Sequence, residues 1–345
     1  MKNESTSSLQ ISRRTLLQTA LASSCLLSGL DSPWAFAEDI KEGVTEPTSQ
    51  EVARAIDIMA RTTSDNVTSE RLEACETIQR SVDRLRAKEF STYFNSSAEE
   101  ASRWENERGV LRYLNASFDK ILEEIPKTEV AANTVVLWHV YNMGYVVKTP
   151  TQTFAVDIKH RRAKELLPYI EFLLVTHKHG DHYTDAFCQQ VAAAGKPVVA
   201  PFIENEWTPT LEGRELKFGD CTVKTTQVDH NDQLINFVTT FEINCGEASG
   251  NCVIFHVGDA CRVRQLNPAQ QVDVFIPHLA VGLNVPEAVN DKLHPGVTLL
   301  SHILELGHLI DKWRWSYTYG YNICKKCNND SVLLPVWGEK YVFTR

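Results

Sequence analysis

The sequence predicts an α/β protein, an αββα sandwich with an N-terminal helical extension, on three observations. Apolar strands from residue 134 onward are interleaved with helical stretches. Ligand-type side chains gather just past the ends of those apolar runs, which predicts loops along one sheet edge. Residues 49–126, by contrast, show helical periodicity alone. With 345 residues, 43% of them hydrophobic, the chain can build one large domain and an appendage.

Residues 1–37 read as a targeting segment. Ser12-Arg13-Arg14-Thr15-Leu16-Leu17 is a twin-arginine pattern, followed by a moderately apolar stretch to Leu30. Ala35-Phe36-Ala37 supplies the small residues a signal peptidase needs, so the mature chain is expected to begin at Glu38, in a periplasmic or secreted location. Cys25 lacks the leucine that usually precedes a lipidated cysteine. No later apolar run is long enough to span a bilayer.

Residues 38–48 are polar, contain Pro47 and read as a linker. In the helical region 49–126, Leu72, Cys75, Ile78, Val82 and Leu85 recur at three- and four-residue steps. Val110, Leu114, Phe118, Ile121 and Ile125 form a second such set, closed by Pro126. Asn95-Ser96-Ser97 followed by Glu99-Glu100 is helix-start chemistry.

A domain over 134–345 follows. Thr134–Trp138 opens it; Gly144–Lys148 and Thr153–Asp157 then flank the turn Thr149-Pro150-Thr151. Asp185–Ala194 reads as a helix stopped by Gly195, ahead of a strand at Pro197–Ala200. Cys221–Val228 and Val238–Ile243 alternate as half-buried strands do, and Cys252–Val257 is more continuously apolar.

The chemistry concentrates in Thr176-His177-Lys178-His179-Gly180-Asp181-His182, directly after Phe172-Leu173-Leu174-Val175. Three imidazoles and a carboxylate within six residues would repel one another on protonation unless a cation lay between them. Imidazole with carboxylate suits zinc, and also iron or manganese. In extended chain His177 and His179 point the same way, while Asp181 and His182 fall where the chain turns and can face a second ion.

This motif and its sequels resemble the metallo-β-lactamase superfamily over roughly residues 134 to 340. The later members are His230 in Gln227-Val228-Asp229-His230, Asp259 in Val257-Gly258-Asp259-Ala260 and His302 in Leu299-Leu300-Ser301-His302. The resemblance implies His177, His179 and His230 on one divalent ion, and Asp181, His182 and His302 on another, with Asp259 bridging. It is most similar to the branch of ascorbate-phosphate lactonases and N-acylethanolamine-releasing phospholipase D enzymes. It therefore implies two ions, zinc before iron or manganese, a metal-held hydroxide as nucleophile, and Asp181 or Asp259 as proton acceptor. His278 and His308 stand as alternatives to His302, which is preferred because it ends the apolar run Val297–Leu300. No cysteine occupies the Asp259 position, a departure from true zinc β-lactamases. His139, His256, Tyr183 and Arg262 flank the motifs, either as cleft or as packing residues.

The substrate class expected is a small molecule or lipid with an ester, lactone or phosphodiester bond. The alternative is a catalytically inactive metal- or partner-binding protein of the same fold. The net charge of −9 becomes −10 once Lys2, Arg13, Arg14, Glu4 and Asp31 are removed, which disfavours nucleic acid. Eight cysteines follow the leader. Cys245 and Cys252 flank a hairpin loop and can pair, and the lone Cys324-Lys325-Lys326-Cys327 reads as structural thiols or a disulfide. Oligomeric state is not encoded in any motif.

Overall fold

The computed structural model describes residues 41–65, 67–310, 313–328 and 331–345. The twin-arginine segment and its cleavage site lie outside the described residues.

Five helices, rather than a simple pair, occupy the N-terminal region: α1 (Ser49–Arg61), α2 (Ser69–Val82), α3 (Ala87–Asn95), α4 (Ala98–Glu107) and α5 (Gly109–Lys127). Thr48 with Glu51 and Ser97 with Glu100 form reciprocal caps that satisfy the first free N–H groups of α1 and α4. The apolar stripes are buried as their spacing predicts, including Ile78 and Val82 of α2 and Val110, Phe118 and Ile121 of α5. Two boundaries differ from expectation. Leu85 is buried but lies beyond the end of α2. Pro126 sits in the last turn of α5, which continues to Lys127, because a missing N–H there leaves the Thr128 N–H to Glu124 bond intact.

The remaining chain forms β1 (Thr134–Tyr141), β2 (Gly144–Lys148), β3 (Thr153–Val156), β4 (Phe172–Leu174), α6 (Asp185–Ala193), β5 (Val198–Val199), β6 (Arg214–Phe218), β7 (Cys221–Val228), β8 (Val238–Asn244) and β9 (Val253–His256). Then come β10 (Val274–Ile276), α7 (Val285–Glu287, continued as a π turn over Ala288–Leu293), β11 (Val297–Leu299), β12 (Leu309–Ile310), β13 (Trp313–Arg314), α8 (Tyr317–Cys324), β14 (Val332–Leu333) and β15 (Lys340–Thr344). One sheet runs β15-β1-β2-β3-β4-β5 and the other β14-β11-β10-β9-β8-β7-β6; β12 and β13 pair separately.

Period-two patterning explains why the two sheets face each other. All eight positions of β1 are buried. Val135 and Leu137 enter an apolar cluster with Val147, Phe154 and Leu174 of the same sheet and with Phe241, Ile254, Ile276 and Leu299 of the other. Val136, Trp138 and Val140 point the opposite way, into the cluster that holds the helical stripes. Phe255 and Phe275, on the outer side of the second sheet, share that outer cluster with Val285, Ala288 and Val289 at α7. The result is helices outside two packed sheets, the αββα order expected.

The helical region lies directly on the first sheet. Trp138 Nε1 donates to Glu124, Lys148 Nζ to the Ile125 carbonyl and Tyr113 Oη to the Trp337 carbonyl, at 2.8–2.9 Å. Arg71 of α2 meets Glu339 at 3.0 Å with both side chains buried. No disulfide joins the described cysteines.

Candidate metal centre

The motif begins where β4 ends. Asp157, directly after neighbouring β3, has a φ of +48° and is fully buried. Its Oδ1 accepts the Thr176 N–H (2.8 Å), and its Oδ2 accepts the Thr176 hydroxyl (2.7 Å) and sits 2.9 Å from His182 Nδ1. Asp157 accepts from Nδ1, which leaves Nε2 as the nitrogen turned towards Asp181 and Asp259. One carboxylate thus shapes the turn and sets the tautomer. Sequence reading placed Asp157 merely at a strand end; the signal it carried was a carboxylate closing an otherwise apolar strand.

Two further loops come from the second sheet. His230 follows β7, in a turn held by Asn231 Oδ1, which accepts the Gln233 and Leu234 N–H groups. Asp259 follows β9 through Gly258, whose φ is +48° and where an added Cβ would stand 2.8 Å from the Thr176 side chain. Only glycine allows that approach, which brings the Asp259 loop against the motif. Asp259 Oδ2 is 3.3 Å from His230 Nε2 and 3.7 Å from His177 Nε2, while Oδ1 is 3.1 Å from His182 Nε2. Phe237 lies against His177, His179 and His230, with ring centroids 5.1–6.2 Å away.

On the other side, Asp181 Oδ2 lies 3.0 Å from His302 Nε2 and 3.5 Å from His182 Nε2. Buried Asn142, at φ +54° in the β1–β2 turn, donates from Nδ2 to Asp181 Oδ2 (3.1 Å), and its carbonyl accepts the His302 N–H (3.2 Å). Asn142 was not singled out from the sequence, because a turn asparagine ordinarily serves only its own turn.

Three groups of side chains have their ligand atoms within 4.8 Å of one another among the described residues: His177, His179, His230 and Asp259; Asp181, His182 and His302; and Asp259, His278 and His302. All seven residues singled out from the sequence fall in these groups, and Asp259 faces both the first triad and His182. His302 belongs to two of them. His278 belongs to one, its ring 3.9 Å from that of His302, but its Nδ1 accepts the Ala280 N–H at 2.8 Å. The proton of neutral His278 therefore sits on Nε2, and it offers the cluster an N–H rather than a lone pair. His308 joins none of these groups; its Nδ1 is 2.5 Å from Glu305 Oε2. Of the flanking residues, His139 and His256 bond to the Asn142 and Met143 carbonyls, Tyr183 lies against Phe202, and Arg262 pairs with Asp229 and Asp232. Packing and loop support are what these four provide.

The electrostatics are those of a crowded, dry pocket. Burial, with His182 close by, pushes His177 well below the usual imidazole range. Burial and the adjacent His230 also lower His179. His182 goes the other way: burial opposes its charge, but Asp259, Asp181 and Asp157 together hold it well above the ordinary value. Burial would raise Asp181 and Asp259, yet His182 keeps both well below the carboxylate range, aided by His302 at Asp181 and by His278 and His230 at Asp259.

Divalent cations fit this donor set. His177 Nε2, His182 Nε2, Asp259 Oδ1 and His302 Nδ1 are buried without a hydrogen-bond partner. His182 Nε2 and Asp259 Oδ1 stand 3.1 Å apart, facing each other across the pocket. A buried polar atom left unmatched costs about 1–3 kcal/mol, a cost that bound cations would relieve.

No family model and no curated protein matches the chain. Solved structures similar to it include the metallo hydrolase Igni18 from Ignicoccus hospitalis, at 15% identity over 61% of this chain and 99% of that one, with a TM-score of 0.46. The metallo-β-lactamase fold protein YhfI from Bacillus subtilis is 11% identical over 61% and 99%, with a TM-score of 0.44. CmlA, a diiron β-hydroxylase from Streptomyces venezuelae, is 14% identical over 75% of this chain and 60% of that one, with a TM-score of 0.44. Likeness at this level concerns architecture only; the chemistry rests on the side chains above.

Proposed function

We propose that the protein is a metal-dependent hydrolase that cleaves an ester, lactone or phosphodiester bond of a small molecule or lipid. The observation that carries this reading is the convergence of imidazoles and carboxylates in two groups, with His177 Nε2, His182 Nε2 and Asp259 Oδ1 buried and unpartnered among them. His177, His179 and His230 would hold one ion, Asp181, His182 and His302 a second, with Asp259 facing both. Zinc is preferred over iron or manganese because imidazoles outnumber carboxylates. Such a pair supplies Lewis acidity, lowering the pKa of water towards ~7 and polarising the scissile bond. The chain's own part is orientation and proton handling. Asp157 keeps His182 in one tautomer, Asn142 and His302 aim Asp181, and either Asp181 or Asp259 takes up the proton released when water attacks.

The test is turnover by protein loaded with two equivalents of zinc on an ester, lactone and phosphodiester panel, beside Asp259→Ala. The variant is expected to lose more than about 100-fold, beyond what loss of a merely supporting partner costs. No turnover on any of the three bond classes by fully loaded protein would sink the reading. An Asp259→Ala protein that keeps both its metal and its biological role would favour the inactive, partner-binding alternative. We also propose export by the twin-arginine route, on Arg13 and Arg14; replacing both with lysine should retain the protein in the cytoplasm on fractionation.

A further inference from the structure

Three buried thiols meet at the end of the second sheet, away from the metal centre. The ladder pairs Thr222 with Asn244 and Asn244 with Val253, so one step further Cys245, just after β8, stands opposite Cys221 at the start of β7 and opposite Cys252 just before β9. All three point into the apolar layer between the sheets. The two facing pairs differ in kind. The Cys245 N–H donates to the Cys252 carbonyl at 2.9 Å, which makes that a hydrogen-bonded pair. In an antiparallel strand a residue's N–H and C=O share one side, so Cys245 meets Cys221 as the non-hydrogen-bonded kind, whose side chains approach more closely. A disulfide needs Cβ atoms about 3.5–4.5 Å apart, a distance the closer kind of pair nearly provides and the wider does not. The adjacent Cys221 thiol, with burial, raises the Cys245 thiol well above its usual range.

We propose that Cys221 and Cys245 form a cross-strand disulfide, leaving Cys252 a thiol. The hairpin closing β7 to β8 carries His230 in its loop, and the bond would fasten the opposite, open end of the same strand pair. The oxidant is a small or protein disulfide. One cysteine thiolate displaces one of its sulfurs, the second cysteine displaces the other, and the oxidant leaves as two thiols. Since these thiols are buried, exchange occurs while the strand ends are open, during folding or local fraying.

The full chain is refolded from the reduced, denatured state in a glutathione redox buffer, and its free thiols are then alkylated. Cleavage after Lys and Arg, followed by cleavage of the same sample after Glu, divides Cys221, Cys245 and Cys252 among different peptides, since Lys224 and Glu247 lie between them. The expected product links residues 218–224 to 243–247. Its Tm should exceed that of the reduced protein by roughly 5 °C. Cys252→Ser keeps the link and Cys221→Ser abolishes it. Recovery of a Cys245–Cys252 bond, or of Cys221 and Cys245 both alkylated, overturns the proposal. Because the linkage is mapped on the unaltered chain, the outcome does not depend on any variant folding.

Discussion

Asp157 touches no ion in the arrangement proposed, yet it decides which nitrogen of His182 is free, through a 2.9 Å contact to Nδ1. Asp157→Asn is expected to weaken divalent-metal affinity by about 10–100-fold, measured by chelator competition, with the fold retained. His302 and His278 should separate cleanly by metal analysis. His302→Ala is expected to drop the content from two equivalents to about one, whereas His278→Gln keeps two, because the Nδ1 lone pair of His278 is committed to Ala280. If His278→Gln loses an equivalent and His302→Ala does not, the last-ligand assignment is reversed. At this scale the seven proposed ligands were legible, because clustered His and Asp after apolar runs have little other use. Asn142, Asp157 and the inward N–H of His278 were not, since each is ordinary in sequence and acquires meaning only from what lies across the gap.

Among the elements, the approach of β9's following loop to the end of β4 depends on Gly258. Gly258→Ala combines a positive φ with a Cβ 2.8 Å from the Thr176 Cβ, so it should cost about 1–3 kcal/mol by urea denaturation and also lower metal content by shifting Asp259. A fully stable, fully loaded variant would show that the contact is not required. Strands with strict alternation or continuous apolar character, such as β1, β2 and β7, appear where their patterns predict; β8 forms at its expected place but is buried at six of seven positions rather than half-buried, because both neighbouring strands and both layers cover it. Short elements such as β14 were invisible, because two residues carry no period. The pairing of β15 with β1 was also beyond reach, since it joins residues some two hundred positions apart and no local pattern names a partner.

For the molecule as a whole, the helices and the sandwich are joined by buried polar contacts as well as apolar ones. Glu339 accepts from Arg71 Nη2, the Val336 N–H and Tyr341 Oη, and also from the Ser64 N–H. Arg71→Ala would leave that buried carboxylate without its counter-charge, and an expected loss of about 3–5 kcal/mol in urea unfolding checks it. His160, stacked on Phe118 of α5 with ring centroids 3.9 Å apart, adds a pH dependence. Burial, with Arg162 and Arg161 adding to it, pushes its pKa down to about 3 from 6.5. The unfolded chain therefore binds a proton near pH 6.5 that the folded chain refuses, so stability is full above that pH and falls as pH drops towards 3. The Tm of the wild type should decline between about pH 6.5 and 4.5, and His160→Gln should flatten that slope; an unchanged slope would remove His160 as a cause. Residue types and their periods determined the α/β class, the helical stretch and which side chains are fit for metal, because burial and ligand chemistry are properties of local composition. Which loops meet, which imidazole nitrogen is free and where the helices rest were decided only by the tertiary structure, because those depend on distances between segments that the chain brings together by packing.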